Sequence, residues 1–441
     1  MASSADVIQV LPAEVPAALK EAGARGALVR GLGRSYGDAA QNGGGTVLRL
    51  LGSATDAVLD RVAATVRVSA GASIDELLRV IVPRGFFVPV TPGTRFVTLG
   101  GAIASDIHGK NHHVDGSFGN HVRRMSLQLA SGEVVELSRQ LDPQLFWATI
   151  GGMGLTGAIL DATVSLLPIE SSRMSVDTKR ISDLEALFAA MNDGDDATHR
   201  YSVAWIDLAA KGRHLGRSAL TRGDHATADQ LGAQESVSPF AYAPRQLLTV
   251  PPLVPRRGVL NHASVAAFNE FWFRHTPRDR RGELQRIADF FHPLDMIGSW
   301  PRLYGRPGLV QYQFVVPFGQ EEAMRRVIER ISASGAASFL AVLKRFGAAN
   351  DAPLSFPQPG WTLALDLPGG APGLGDLLHG LDDMVLEAGG RNYFAKDAHT
   401  SHTTIRRGYP RLAEWQAIRA RVDPHNVWQS DLGRRLALAE A

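Results

Sequence analysis

The chain has 441 residues, of which 45% are hydrophobic and 20% are charged, a composition typical of globular proteins with two or three domains. Its formal net charge of +2 argues against a dedicated nucleic-acid-binding protein. The absence of cysteine excludes disulfides, thiolate metal ligands and a cysteine nucleophile. The sequence contains no apolar run of about 18 residues and does not begin with a secretory signal pattern, so we expect neither a transmembrane helix nor a signal peptide.

A first glycine-rich cluster follows a predicted strand near the N-terminus. The strand covers Ala27–Val29 and leads into Gly31–Asp38, which has the sequence GLGRSYGD. Alternating, β-branched residues predict two further strands, at Thr46–Leu50 and Thr65–Ser69. A capping box at Ser73, with a glutamate three residues later, predicts the start of a helix.

The segment Pro89–Val122 is rich in glycine, histidine and small polar residues without being a low-complexity repeat. Its six glycines allow tight turns and a close approach of the backbone to a ligand. Because it has little apolar content, the segment is either a solvated loop or a wrapping around something polar. Glycines combined with polar donors are typical of phosphate-binding turns, which favours a bound ligand. A strand pair at Met125–Leu129 and Val134–Leu137 follows and predicts a hairpin.

A third glycine cluster, Gly151–Gly157, contains a formal GxGxxG pattern. A dinucleotide-binding Rossmann turn needs a strand before this pattern and a helix after it. The residues that follow, Ala158–Leu167, have the composition of a strand, so the pattern does not predict a nicotinamide site. A Walker A loop is also absent from the sequence.

Three histidines, His108, His112 and His113, lie close together in the second glycine-rich segment, and His121 follows them. The HExxH spacing of metalloproteases is missing, and no nearby glutamate completes a ligand set. We therefore expect no metal site, and we predict that these histidines bond to backbone or ligand.

The composition changes after Pro168, and the pattern becomes that of an α+β unit. Residues 223–261 are rich in Pro, Gln and Arg and poor in periodic pattern, which predicts a mobile loop region. Apolar spacing predicts strands and helices on either side of it, at Tyr201–Asp207, Leu309–Val316, Glu321–Ser334, Phe339–Leu343, Trp361–Leu367 and Leu374–Glu387.

Together these motifs resemble a known superfamily. Gly31–Asp38 resembles the first FAD-binding loop of the vanillyl-alcohol-oxidase, or PCMH-type, FAD-linked oxidases, while Pro89–Val122 and Gly151–Gly157 resemble the second and third. The ending Asp423–Val427 is similar to the C-terminal signature of that superfamily. The segments DIHGKNHH, GSFGNHV, LFWATIGGMGLTG, FHPLDM, QYQF, APLSFPQPGW and YFAKD narrow the resemblance to the decaprenylphosphoryl-β-D-ribose oxidase family, the flavin subunits of a 2′-epimerase.

The resemblance implies a two-domain α+β fold, in which residues 1–172 and 391–441 form a PCMH-type FAD-binding domain and residues 173–390 a substrate domain on an antiparallel sheet. It implies FAD as the cofactor, held non-covalently, because Arg34 stands where some superfamily members have a flavin-linking histidine. The residues implied to contact FAD lie in the three glycine-rich segments and near the C-terminus: Gly31, Gly33, Arg34, Ser35, Tyr36, Gly37, Pro92, Gly93, Thr94, Thr98, Gly100, Gly101, Ala104, Ser105, His108, Gly109, Asn111, His112, Gly154, Gly157 and Lys396.

Three residues are implied for catalysis, each with a plainer alternative. Lys396 would stabilise negative charge on the reduced flavin, although a lysine beside Asp397 is by itself typical of a surface pair. His108 could accept the hydroxyl proton near neutral pH, and a structural histidine bonded to backbone is its alternative. Tyr36 would face the substrate or the flavin edge, or else pack against neighbours.

The resemblance also implies a substrate pocket on the second domain. Lys344 would suit the phosphate of a lipid carrier, whereas for Trp205 the alternative is ordinary core packing. Ala364 stands where mycobacterial family members have an active-site cysteine. The implied pocket residues are Lys110, Trp205, Gln311, Gln313, Lys344, Phe346, Thr362, Ala364 and Tyr393.

A prenyl-linked substrate would require contact with a lipid surface. Apolar residues alternate with arginines in the middle of the chain and could rest on an anionic bilayer, with an ordinary disordered loop as the alternative. They are Leu247, Leu248, Leu253, Val254 and Phe271–Phe273, beside Arg256, Arg257 and Arg274. We therefore expect a peripheral membrane location, on a side that the sequence does not specify.

The function implied by the resemblance is FAD-dependent oxidation of the ribose C2 hydroxyl of a polyprenylphosphoryl ribose. A separate NADH-dependent short-chain reductase would then complete the epimerisation. Two alternatives stay open at this point: a sugar, alditol or aldonolactone oxidase of the same superfamily, and a non-catalytic flavin-loaded subunit that binds the lipid carrier.

Overall fold

The computed structural model describes residues 4–256, 258–336 and 338–439, so Arg257 of the predicted membrane contact lies outside the described residues. The described residues form the expected α+β fold, with three main arrangements of strands. Among them, no helix has both the length and the apolar character needed to cross a bilayer. The predicted domain boundaries at residues 172 and 390 stay predictions.

The N-terminal part of the chain builds two sheets. A parallel sheet of three strands has the order Asp6–Val10, Thr46–Leu50, Ala27–Arg30. An antiparallel sheet of five strands has the order Val58–Asp60, Thr65–Ser69, Ala158–Ser165, Val122–Gln128, Val134–Ser138. The predicted hairpin is confirmed, and Ala158–Ser165 confirms that a strand rather than a helix follows the GxGxxG pattern.

An eight-stranded antiparallel sheet is built from strands that lie between residues 173 and 392. Its strands, in spatial order, are Asp279–Arg286, Arg173–Ile181, Ser218–His225, Tyr201–Ile206, Ala341–Phe346, Gly360–Pro368, Leu309–Pro317 and Arg391–Asn392. Two small strand pairs, Phe86–Phe87 with Leu167–Pro168 and Leu248–Thr249 with Ile297–Gly298, complete the strands. Residues 223–225 belong to the strand Ser218–His225, so the predicted irregular region begins later than residue 223.

Side-chain alternation gives the eight-stranded sheet two different faces. On one face Tyr312, Phe314, Leu363 and Leu365 are buried in a hydrophobic core with the helices Glu321–Ser334 and Leu374–Glu387. The opposite face carries the intervening positions, which are polar or small: Gln311, Gln313, Thr362, Ala364 and Asp366. One side of this sheet therefore stabilises the fold, while the other is free to form a site.

Helices lie around these sheets, and several begin at the residues that the sequence indicates. The capping box is confirmed, since the Ser73 hydroxyl accepts a hydrogen bond from the Glu76 amide at 3.2 Å and Glu76 accepts one from the Ser73 amide at 2.8 Å. The α-helices are Val15–Lys20, Ile74–Ile81, Leu99–Ala104, His112–Asp115, Pro143–Thr149, Leu184–Asn192, Gly194–Ala197, Ala233–Val237, His262–His275, Ile287–Phe291, Glu321–Ser334, Leu374–Glu387, His402–Gly408, Leu412–Val422 and Asp431–Arg435. Short 3-10 helices lie at Pro12–Glu14, Val82–Arg84, Phe118–His121, Gly212–His214, Ala228–Gln230, Pro293–Met296, Trp300–Tyr304 and Phe394–Lys396.

The three glycine-rich segments are in contact with one another. A Cβ on Gly31 would lie 2.1 Å from the Thr98 hydroxyl oxygen, so the first segment packs directly on the second. The amides of Gly151 and Met153, in the third segment, donate to the carbonyl oxygens of Ile103 and Ala104 at 3.1 and 2.8 Å. The segments are far apart in sequence but form one structural unit.

This contact predicts the effect of a small change at Gly31. Gly31→Ala should lower the free energy of unfolding by about 1–3 kcal/mol, because the added methyl group overlaps Thr98. Thermal unfolding of the FAD-loaded protein measures this effect. Gly23→Ala is the matched control, since a Cβ on Gly23 meets no heavy atom of the described residues within 4 Å. Equal melting temperatures for the two variants would contradict the contact.

Candidate functional site

Several backbone amides of the first two glycine-rich segments are left without a partner. The amide groups of Leu32–Ser35, of Gly93 and Thr94, and of residues 108–113 donate no hydrogen bond to another described residue. His108 and Gly109 belong to buried stretches, where an unpaired amide is costly unless something accepts from it. These segments therefore present N–H donors suited to an anionic or carbonyl-rich ligand.

The Asp295 carboxylate forms hydrogen bonds to the loop around Thr94 and Arg95. One of its oxygens accepts from the Thr94 hydroxyl at 2.7 Å, and the other accepts from the Arg95 amide at 2.9 Å. Arg95 also forms ion pairs with Asp295 at 3.2 Å and with Asp75 at 2.7 Å. His292 of the same FHPLDM motif bonds to the Thr91 hydroxyl at 2.9 Å. The motif thus holds this loop of the second glycine-rich segment in place.

A second buried carboxylate, Asp106, fixes the neighbouring part of the same segment. It has a left-handed backbone conformation, with φ of 39°, and accepts from the Ser117 hydroxyl and the Gly119 amide, both at 2.8 Å. The Asn350 amide at 2.8 Å and the Ser355 hydroxyl also donate to it. Burial raises the pKa of Asp106, and these donors oppose that shift by favouring the charged form.

The Arg435 guanidinium joins the first glycine-rich segment to the C-terminal return of the chain. It forms two 2.7 Å hydrogen bonds to the Asp38 carboxylate and a 3.0 Å ion pair with Asp397. The Tyr36 amide donates to the Ala395 carbonyl oxygen at 2.8 Å. These contacts hold the 3-10 turn Phe394–Lys396 against the first segment, and so set the position of Lys396.

The second segment meets the polar sheet face at His108. The Gln313 side-chain amide nitrogen lies 2.9 Å from His108 Nε2, and Lys344 Nζ lies 3.1 Å from His108 Nδ1. The Thr362 hydroxyl donates to the Phe314 carbonyl oxygen at 2.8 Å and accepts from the Gln313 side-chain nitrogen at 3.1 Å. Gln313 therefore donates to Nε2, which leaves the imidazole proton on Nδ1, facing Lys344.

That orientation favours an uncharged amine on Lys344, because an ammonium would face an N–H group. Burial lowers the pKa of Lys344 to about 7, and the charges of Lys396 and Lys110 add to the effect. Burial likewise lowers the pKa of His108 well below its ordinary value. With a pKa of about 7, Lys344 is present partly as the free amine at neutral pH, so the His108–Lys344 pair can gain a proton from a donor.

Lys396 lies close enough to Lys344 for the charges of the two side chains to interact. Its ammonium is 4.3 Å from the centroid of the Tyr36 ring, a cation–π arrangement. Burial lowers the pKa of Lys396 to about 8, and the nearby Asp366 carboxylate opposes this shift. Burial raises the pKa of Tyr36, which keeps its phenol protonated. Lys396 therefore retains its charge at neutral pH to a greater degree than Lys344.

The remaining predicted site residues fall into two groups. Lys110 Nζ donates to the Phe290 carbonyl oxygen and lies 4.1 Å from that ring centroid, and burial lowers its pKa to about 7. The Asn111 side chain donates to the Pro89 carbonyl oxygen at 2.7 Å, and His112 Nδ1 accepts from the Gly347 amide at 3.1 Å. These side-chain nitrogens bind protein, so residues 111 and 112 offer a ligand their backbone amides and, at Asn111, a side-chain oxygen without a partner among the described residues.

Phe346 and Tyr393 are buried behind the imidazole rather than exposed in a pocket. Their ring centroids lie 4.8 and 5.6 Å from that of His108, and the Tyr393 hydroxyl donates to the Ser105 carbonyl oxygen at 2.8 Å. Trp205 lies on the strand next to Ala341–Phe346, and its indole nitrogen donates to the Phe339 carbonyl oxygen at 3.2 Å. Ala364 lies directly opposite Gln313 in the sheet register. Among the residues the structure describes, no cluster of three potential metal ligands occurs.

Comparison with known proteins shows the family to which the chain belongs. Residues 9–138 match a family model described as an FAD binding domain, and residues 319–436 match one described as D-arabinono-1,4-lactone oxidase. The chain is 47% identical to decaprenylphosphoryl-beta-D-ribose oxidase of Mycolicibacterium smegmatis over 95% of its own length and 90% of the relative's. The chain belongs to this oxidase family.

Other relatives are less similar or shorter in coverage. An uncharacterized protein encoded in the mprA 5′ region of Streptomyces coelicolor is 38% identical over 83% of this chain and 100% of its own length. D-lactate dehydrogenase of Anaerostipes hadrus is 28% identical over 32% of this chain and 30% of its own length. The family membership confirms the PCMH-type FAD-binding fold, the cofactor FAD and an FAD-dependent oxidoreductase activity.

The residues present fit FAD without any Rossmann turn. FAD carries a pyrophosphate and a ring with carbonyl oxygens, all of which accept hydrogen bonds from backbone amides. The unpaired amides of Leu32–Ser35, Gly93, Thr94 and residues 108–113 are donors of this kind. The buried Asn111 Oδ1, which has no partner among the described residues, offers an acceptor beside them. We propose that these groups, with Lys396 near the ring, hold the cofactor.

Sequence reasoning did not find Asp366, Asp295, Asp106 or Arg435. Asp366 had a detectable signal, because the strand sequence TLALDL places Thr362, Ala364 and Asp366 on one face and leucines on the other. The lysine content is a second sequence signal for the site. Only six of the 46 cationic residues are lysines, and three of them, Lys110, Lys344 and Lys396, lie close enough together for their charges to interact. The carboxylates that fix loops had no such signal, since their partners are distant in sequence.

The non-covalent attachment of FAD is a testable prediction. Arg34 is exposed and offers no imidazole for a flavin link, so acid or heat denaturation should release all FAD into the supernatant. The measurement is flavin absorbance in the supernatant against that in the precipitated protein, with free FAD as the recovery control. Flavin that stays with the precipitated chain would refute the prediction.

Proposed function

We propose that this protein oxidises the C2 hydroxyl of decaprenylphosphoryl-β-D-ribose, or a closely related polyprenylphosphoryl ribose, to the 2-keto compound. This reaction would be the first half of an epimerisation that yields the arabinose configuration. The observation that carries the proposal is the 47% identity, over 95% of the chain, to an oxidase named for this substrate. A polar sheet face that carries Lys344, with Lys396 and Lys110 near enough for their charges to interact with it, is chemically suited to a phosphorylated sugar.

The roles of the chain's own residues follow from their charge states. FAD, when bound, supplies the acceptor for the hydride that leaves the carbinol carbon. Lys396 holds a positive charge in the desolvated pocket, where it would stabilise negative charge that develops during the reaction. The His108–Lys344 pair, in which Lys344 is partly deprotonated at neutral pH, would take up the hydroxyl proton. Gln313 and Thr362 fix the imidazole orientation that this role needs.

A second candidate is an aldonolactone or alditol oxidase. The match of residues 319–436 to the D-arabinono-1,4-lactone oxidase model favours it, because this region contains most of the polar sheet face. A soluble sugar would need neither a lipid phosphate nor a membrane surface. A non-catalytic lipid-carrier subunit, by contrast, would bind the lipid-linked ribose without reducing its flavin.

One experiment distinguishes these three candidate functions. Purified FAD-loaded protein is incubated with polyprenylphosphoryl ribose and an artificial electron acceptor, and the lipid product is analysed by mass spectrometry. We expect a keto product that is two hydrogens lighter, and no reaction with free alditols or lactones. Turnover of the free sugars in preference to the lipid would favour the second candidate, and binding without turnover would favour the carrier subunit.

The same assay tests whether a separate reductase is needed. Inversion at C2 requires a hydride to return to the opposite face of the sugar, and we propose that an NADH-dependent short-chain reductase supplies it. Addition of NADH alone should therefore leave the keto product unchanged. Formation of the arabinose-configured lipid by this protein and NADH, with no second protein present, would contradict the proposal.

The role proposed for Lys396 predicts a large kinetic effect. Lys396→Ala should remain folded but should lower the rate of flavin reduction by substrate about a hundredfold or more, on the scale of losing one preorganised electrostatic group. Stopped-flow bleaching of flavin absorbance, normalised to bound FAD, measures the rate. Lys211→Ala is the control, because Lys211 is an exposed lysine away from the pocket. A wild-type rate in Lys396→Ala would remove Lys396 from the catalytic residues.

We also propose that the protein rests on a lipid surface beside the site. Leu253 is 92% exposed and Phe271 56% exposed, and both lie close in sequence to arginines. A row of aromatic rings leads from the exposed Phe268 through Phe339 to the buried Tyr304. The ring centroids of Phe268 and Phe339 are 6.0 Å apart, and so are those of Phe339 and Tyr304. Exposed apolar side chains close to arginines are typical of a protein that docks on anionic bilayers.

Vesicle binding tests this proposal. Leu253→Asp should weaken binding to anionic phospholipid vesicles about tenfold or more, because it removes a leucine contact worth roughly 1.5–3 kcal/mol. Co-sedimentation across a range of lipid concentrations measures the affinity. Val62→Asp is the matched control, since Val62 is fully exposed on the strand-connecting turn of the five-stranded sheet. Equal affinity of the two variants would count against membrane contact through Leu253.

A further inference from the structure

A fully buried carboxylate lies on the polar face of the eight-stranded sheet without a direct ion-pair partner. Asp366 has no exposed surface, and it sits directly opposite Gln311 in the register of Leu309–Pro317 and Gly360–Pro368. Its Oδ1 accepts from the Gln311 side-chain amide. Its Oδ2 has no hydrogen-bond partner, and no cationic nitrogen lies within 4.0 Å of it, among the residues that the structure describes.

Such a group needs a compensating charge, because a lone buried carboxylate is strongly destabilised in its ionised form. The groups that face Asp366 are the Tyr36 and Tyr304 phenols and the Lys396 ammonium. Both phenols are held protonated by burial, which raises their pKa values, so neither carries charge. Of these three groups, Lys396 is therefore the one whose positive charge can compensate the Asp366 carboxylate.

Apart from Asp366, the neighbours of Lys396 favour its charge only through the Tyr36 ring, in a cation–π arrangement. Tyr36 from the first glycine-rich segment lies beneath it, and His108 and Lys344 approach from the second segment and from the strand Ala341–Phe346. Its sequence neighbour Asp397 is committed to Arg435 and to the amides of His399 and Thr400. Asp366 is the carboxylate that remains to offset the cost of burying the ammonium.

We propose that Asp366 is a positioning residue that keeps Lys396 protonated, by placing a buried negative charge close to it without a direct ion pair. The absence of a direct hydrogen bond matters, since the ammonium keeps its donors for flavin or substrate. This inference rests on the proposed function only for its effect on the reaction; the charge relation between the two side chains stands without it.

The directions of the two pKa shifts support this arrangement. Burial lowers the pKa of Lys396 to about 8 and Asp366 opposes that shift, whereas the pKa of Lys344, which faces no carboxylate, falls to about 7. Burial raises the pKa of Asp366 to about 6, and the Gln311 hydrogen bond and the Lys396 charge oppose that shift. At neutral pH both members are therefore charged, and Lys396 loses its proton as the pH rises through about 8.

The test measures the charge of Lys396 directly. The FAD-loaded protein is labelled with lysine carrying ¹³C at Cε, and the six lysine signals are followed by NMR as the pH is raised. The Lys396 signal is assigned by its loss in Lys396→Arg. In Asp366→Asn we expect the Lys396 titration midpoint to fall below that of the wild type, because the offsetting charge is gone. An unchanged midpoint would overturn the proposal.

Asp376→Asn is the matched control, because it removes an exposed carboxylate from the same half of the chain and should leave the Lys396 midpoint unchanged. If Asp366→Asn does not fold, Lys396→Met supplies the reciprocal measurement, in which the ¹³Cγ signal of Asp366 should titrate at higher pH than in the wild type. Titration of Asp366 at the wild-type pH in that variant would overturn the proposal equally.

The kinetic consequence is a displaced pH profile. The rate of flavin reduction in Asp366→Asn should fall at a lower pH than in the wild type and approach the wild-type rate as the pH decreases. Each unit of displacement represents a tenfold loss of protonated Lys396 on the alkaline side. A merely structural role would lower the rate equally at every pH, which would contradict the inference. If the wild type is not reduced by the lipid-linked ribose, the proposed function fails while the NMR result still decides this inference.

Discussion

A backbone amide that is to bind a cofactor cannot also hold its own loop in place. This constraint explains the buried carboxylates of the structure. Asp295 fixes Thr94 and Arg95, Asp106 fixes the turn at Ser117 and Gly119, and Asp397 fixes the turn that follows Lys396. Because side chains rather than amide–carbonyl pairs stabilise these loops, the amides of residues 32–35, 93–94 and 108–113 are without a protein acceptor and are the donors that we propose for FAD, with no Rossmann turn.

The eight-stranded sheet meets a second requirement, that the substrate side be rigid. Its alternation puts leucine, phenylalanine and tyrosine side chains into a core with two long helices, and puts Gln311, Gln313 and Asp366 on the facing surface. Hydrogen bonds from that surface to His108 join the sheet to the glycine-rich segment. The pocket is thus built where two hydrophobically stabilised units meet, and its ionisable groups are desolvated by that contact. Desolvation lowers the pKa of both Lys344 and Lys396, and the Asp366 carboxylate opposes this shift only at Lys396, which gives the two lysines different charge states.

Local elements were predictable from the sequence, and long-range contacts were not. The helices Glu321–Ser334 and Leu374–Glu387 and the strand after the GxGxxG pattern are confirmed, because caps and apolar periodicity are local signals. The roles assigned to individual site residues stay predictions, although the structure brings His108, Gln313, Thr362 and Lys344 together. Arg435 bonds to Asp38, which lies 397 residues away in the sequence, and to Asp397. No periodic pattern could indicate a contact between residues so far apart. Asp366 was missed although the alternation of its strand places it on the polar face, because its contact with Gln311 joins residues 55 positions apart in the sequence.

The central claim is that unpaired amides of separate loops hold FAD. Hydrogen–deuterium exchange, compared between the apoprotein and the FAD-loaded protein at peptide resolution, tests it most directly. The account predicts that FAD slows exchange in the peptides covering residues 32–35, 93–94 and 108–113 together, since each contains amides without a protein acceptor. Protection confined to the peptide covering Gly151–Gly157, with exchange in the other three segments unchanged, would contradict this prediction. It would indicate that the dinucleotide binds at the GxGxxG pattern instead.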